Sequence, residues 1–158
     1  SIVGLVAALE LRARPGAEEE EYQKQLARAE YMAKQLQGIE GTYVTVIPND
    51  GKTYEHPYMA RVPTVRIDME KDKLGLDTVR RVYQAMEDGK PGIYIRFPRL
   101  ESLEFGPFTG KASVFLHTYF LYDGEEKIVA QRMGEVLTTR PWTREKAKEP
   151  IHPIQRGR

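Results

Sequence analysis

The sequence predicts an α+β domain with an antiparallel or mixed sheet and helices on one face. Two stretches of period-2 alternation flank a helical stripe in mid-chain. Further strand-like and helix-like segments follow in mixed order, separated by short turns rather than long crossovers. In the central unit, Val65, Ile67 and Met69 alternate with Thr64, Arg66 and Asp68, as on a strand with one buried face. Asp77 stands where an N-cap belongs, and Val79, Val82, Tyr83 and Met86 then share one helical face. Gly89 and Pro91 stop that helix, because glycine accepts a left-handed cap and proline cannot continue the hydrogen-bond ladder. Ile93, Ile95 and Phe97 alternate with Tyr94 and Arg96 as a second strand. The outward rows therefore carry Thr64, Arg66, Asp68, Tyr94 and Arg96.

Taken from the start, residues 2–11 are apolar nearly all round, the pattern of a helix buried on every side. A terminus usually lies at the surface, so something is expected to precede Ser1 and to cover this helix. Arg14-Pro15-Gly16 breaks the chain, and residues 17–37 read as a long helix. Tyr22, Leu26, Ala29, Ala33 and Leu36 form its packing stripe, and Glu18 to Glu21 complement the dipole of its first turn. Gly38 and Gly41 close it. Tyr43 to Ile47 is a strand by its β-branched content, and Pro48-Asn49-Asp50-Gly51 is a turn. Residues 98–110 read as a loop or irregular hairpin. Lys111 to Tyr122 reads as a strand with Val114, Leu116 and Phe120 on one face and Phe115, Tyr119 and Leu121 on the other, a pattern expected to be covered on both sides. Asp123-Gly124 turns the chain into a helix from Glu125, with Val129, Met133, Val136 and Leu137 inward, and Arg140-Pro141-Trp142 ends regular structure. The predicted division is linking helices over 1–38, an α+β small domain over 39–138, and an extended basic tail over 139–158.

The chain has 158 residues and a net charge of +1, which argues against a dominant nucleic-acid role. From Thr138 onward there are six Lys or Arg against two Glu, which reads as a solvated or partner-packed extension. No apolar run is long enough to cross a membrane, and the first residues lack the basic start of a signal peptide. Cysteine is absent, so there is neither a disulfide framework nor thiol chemistry. Together these features suit a cytoplasmic protein.

Self-contained catalytic motifs are missing. Gly110-Lys111-Ala112-Ser113 lacks the first glycine of a phosphate loop and lies between strand-like segments. No serine sits in a nucleophile elbow. His56, His117 and His152 are far apart, with no second ligand at zinc-like spacing. His117, among apolar strand residues, reads as a core histidine, and Glu125-Glu126 reads as a helix start.

Three stretches taken in order resemble a known family. Ile2-Val-Gly-Leu-Val-Ala-Ala-Leu-Glu10 resembles the helix after the cofactor-lysine region in the selenocysteine-synthase-like branch of pyridoxal-phosphate enzymes, which includes D-glucosaminate-6-phosphate ammonia-lyase. Val62-Pro-Thr-Val-Arg-Ile67, Gly75-Leu76 and Asp88-Gly-Lys-Pro-Gly-Ile93 resemble the strand, helix and strand of that family's small domain. Phe120-Leu-Tyr-Asp-Gly-Glu-Glu126 with Val129 to Leu137 resembles its final helix. The match spans residues 1 to 138. The family carries its Schiff-base lysine and phosphate-binding residues in a large domain upstream of the position matching Ser1. Where members often have Asp and Arg before the last Leu-containing turn, this chain has His117-Thr118-Tyr119.

The resemblance implies the small C-terminal domain of a fold-type-I, aminotransferase-like enzyme. Such a domain belongs to a lyase or transferase acting on an amino acid or amino sugar acid. It closes the active site, positions substrate, and is inactive without the large domain. The implied cofactor is pyridoxal phosphate, held mainly by that large domain, which is either part of the same polypeptide or a separate chain. The implied assembly is a homo-oligomer, with no nucleic-acid or membrane partner. The resemblance also implies Arg96 as the substrate-binding residue, since a small-domain arginine often holds the substrate carboxylate through two parallel hydrogen bonds. An ion pair between Arg96 and Asp68 is the structural alternative. At the level of the whole chain, the alternative is a self-contained α+β module that binds a small ligand or a protein through its polar sheet face.

Overall fold

The computed structural model describes residues 10, 13–50, 61–69, 76–93, 112–119 and 121–140. Within them the order is α1 (Ala17–Leu36), β1 (Thr42–Ile47), β2 (Thr64–Met69), α2 (Leu76–Glu87), β3 (Ala112–His117) and α3 (Glu125–Thr139). The three strands form one antiparallel sheet in the order β1-β2-β3. The fold class is the expected α+β.

Register and alternation divide the sheet into two rows. Val44 lies opposite Ile67, which lies opposite Val114; Val46 lies opposite Val65, which lies opposite Leu116. Successive strand residues point to opposite faces, so these side chains share one face. Val65, Ile67, Val114 and Leu116 are buried there with Met69. Met32 and Leu36 of α1, Val79, Val82 and Met86 of α2, and Val129, Met133 and Leu137 of α3 close over the same cluster. All three helices therefore cover one face, and the polar row of the sheet faces the other way.

The helices form for the local reasons expected. The α1 stripe buries Tyr22, Ala29, Ala33 and Leu36, with Leu26 at its margin, and it also takes in Gln25 and Met32. Glu18, Glu19 and Glu20 occupy its first turn, where negative charge opposes the helix dipole favourably. Helix α3 opens at Gly124, whose φ of 90° suits only a residue without a Cβ. Two carboxylates then reach back: Tyr122 N–H donates to Glu125 Oε2 at 2.8 Å and Gly124 N–H to Glu126 Oε2 at 3.0 Å. This satisfies amides that no helical carbonyl can reach, as in a capping box.

Helices α1 and α3 run in the same direction side by side. Arg28 pairs with Asp123 and donates to the Leu121 carbonyl at 2.9 Å. A Cβ on Gly134 would lie 3.7 Å from Leu36 Cδ2, and Arg140 pairs with Glu40 at 3.1 Å.

Three expectations need correction. Helix α2 begins at Leu76, so Asp77 lies inside its first turn rather than capping it. Strand β3 ends at His117 rather than continuing to Tyr122, and Tyr119 is exposed beyond it. It is not apolar on both faces either, because Ser113 and His117 fall on its outward row. His117 is exposed and is not a core residue. The expected helix over 2–11, apart from Glu10, the strand residues 94–97 and the tail beyond Arg140 lie outside the described residues.

Candidate functional site

The polar face of the sheet brings together the residues best equipped for chemistry. Its rows are Tyr43 and Thr45 from β1, Thr64, Arg66 and Asp68 from β2, and Ser113, Phe115 and His117 from β3. Two hydrogen-bonded groups organise it.

The first group is centred on Asp68. Arg66 stands two residues away on the same row, so its guanidinium reaches the carboxylate side by side. Nε donates to Oδ1 at 2.7 Å, and Nη2 lies 2.7 Å from Oδ2. This fork geometry fixes the guanidinium plane as well as its position. Ser113, directly opposite Asp68 in the register, donates its hydroxyl to Oδ1 at 2.6 Å. The Arg66 and Asp68 side chains are 16% and 9% exposed. A buried charge needs such partners, since an unpaired carboxylate would carry a large desolvation cost. Asp68 thus pairs with Arg66, and the alternative pairing with Arg96 lies outside the described residues.

The second group lies at the other end of β2. Thr64 Oγ1 and His117 Nδ1 are 3.0 Å apart, directly opposite each other in the register. Thr64 also donates to the Val62 carbonyl at 3.1 Å. Asn49, in the left-handed region at φ 46°, donates Nδ2 to that carbonyl at 2.8 Å and to Thr64 Oγ1 at 3.4 Å. Thr118 donates to the Pro63 carbonyl at 2.9 Å. These bonds tie the exit of β1, the entry of β2 and the end of β3 into one corner.

Burial is graded across this face. Thr64, Asp68 and Ser113 are buried, whereas Tyr43, opposite Asp68, is 59% exposed and Thr45, opposite Arg66, is exposed. Among the described residues of this face, exposure is therefore greater on β1 than on β2. What the arrangement offers is oriented polar and charged groups for binding. Among the described residues, the hydroxyl of Ser113 is held by the Asp68 carboxylate, and that of Thr64 lies beside His117 Nδ1 while donating to the Val62 carbonyl.

The lysines among the described residues, Lys24, Lys34, Lys90 and Lys127, are all exposed. Among the described residues, no three His, Asp or Glu side chains converge on a metal position, and no helix is long and apolar enough to cross a membrane.

Arg96, the substrate-binding candidate, lies outside the described residues. Sequence reasoning placed Arg66 and Asp68 on the outward row but assigned no role to Ser113. The signal that identifies Ser113 is its alternation with Val114 and Leu116, which puts it on the row facing Asp68. In comparisons with known proteins the chain matches no family model, and no curated protein or solved structure is significantly similar to it.

Proposed function

We propose that this chain is the C-terminal small domain of a pyridoxal-phosphate-dependent lyase or transferase of the selenocysteine-synthase-like kind. In that role it closes the active site and positions an amino acid or amino sugar acid. The observation that carries the reading is where the motif-bearing stretches fall. Val62 to Ile67 enters and forms much of β2. Asp88 to Ile93 is the exit of α2, where Ile93 N–H donates back to the Met86 carbonyl at 2.9 Å. Asp123 to Glu126 opens α3. These stretches belong to one antiparallel α+β layer.

The cofactor supplies an electron sink for bonds at the substrate α-carbon. This chain's share is binding: charged groups on the polar face orient substrate, and the helical layer supports that face. Arg96 is the residue proposed to hold the substrate carboxylate. The assembly includes the cofactor-binding large domain, forms a homo-oligomer and works in the cytoplasm.

The test compares the isolated chain with the complete gene product, each incubated with pyridoxal phosphate, reduced with borohydride and mapped by mass spectrometry. The complete product, or a chain that co-purifies with it, should carry one near-stoichiometric adduct on a lysine outside residues 1–158, and the isolated chain none. The absence of a specific adduct from both the gene product and any chain that co-purifies with it overturns the reading and leaves a self-contained binding module. The single core shared by the sheet and all three helices is what favours that second reading.

A further inference from the structure

We draw no further inference here: the strongest candidate, the outer edge of β1 with its uncharged Thr42–Ile47 sequence and exposed Tyr43, is a sheet edge for which nothing among the described residues shows what covers it.

Discussion

The guanidinium of Arg132 occupies the space that a Cβ on Gly89 would need. From there Arg132 Nη2 donates to the Ala85 carbonyl at 2.7 Å, and Nη1 reaches Glu135 at 3.1 Å. A cation from α3 thus caps the C-terminal end of α2, where free carbonyls and the helix dipole both favour positive charge. Gly89→Ala should displace the guanidinium and cost about 1.5–3 kcal/mol, the range for a hydrogen bond to a charged group. A double-mutant cycle with Arg132→Ala, read by urea unfolding, checks the cause. An undiminished Gly89→Ala cost in the Arg132→Ala background would show that the two residues are not coupled.

The Ser113–Asp68–Arg66 group predicts unequal costs for its members. Asp68→Ala leaves a largely buried guanidinium without its carboxylate and should lose roughly 3–5 kcal/mol, as when one partner of a buried pair is removed. Ser113→Ala removes one hydrogen bond and should lose about 1–2 kcal/mol. Both should lower the urea midpoint without changing the slope. Equal and negligible effects would mean the group contributes nothing to stability.

Tyr83 is buried on α2, and that burial raises its phenol above the usual value, only partly offset by a backbone hydrogen bond at Phe115. A raised native pKa means the unfolded chain loses this proton first. The stabilising contribution is therefore complete below the unfolded value of about 10 and declines as pH rises toward the native value. The decline should approach about 1.4 kcal/mol per pH unit for this group. Tyr83→Phe should flatten the alkaline limb of stability against pH by that amount. Identical limbs for the two proteins would refute the assignment.

The carboxylate-binding role proposed for Arg96 can be tested in the proposed assembly with a cofactor-binding domain. Arg96→Lys keeps the charge but loses the two-pronged grip on a carboxylate. A loss in kcat/KM equivalent to about 1–3 kcal/mol is expected, with a larger loss for Arg96→Ala. If both variants fold normally and turn over substrate like the parent, Arg96 is not the anchor.

Much of this architecture is legible in local pattern. The alternation of Val65, Ile67 and Met69 identifies β2 and its buried face, and the stripes of α1 and α3 identify their inward sides, since each depends only on the period of its own element. Gln25 escaped because polarity disguised a stripe position that geometry buries. The end of β3 escaped because Phe115 and Tyr119 gave both faces an apolar look, hiding the polar row of Ser113 and His117. The Asp68 site was half legible. Arg66 and Asp68 announce themselves by i, i+2 spacing, but Ser113 joins them through a strand register set 45 residues away, which no local period encodes. Arg96 is reached through its place on the outward row of the predicted strand together with the family resemblance, and it lies outside the described residues.

The lateral pairing of α1 with α3 also has a temporal side. Among the described residues these are the earliest and latest helices in the chain, and Arg28 and Leu36 of the first meet Asp123 and Gly134 near the second. A ribosome making this chain synthesises α1, β1, β2, α2 and β3 before α3, whose residues complete their cover. Until about Thr139 has emerged, Met32 and Leu36 wait without Met133 and Leu137, their partners in the finished core. The nascent intermediate is therefore the species most exposed to misassembly, and a stop codon anywhere in α3 should strand the whole domain in that state.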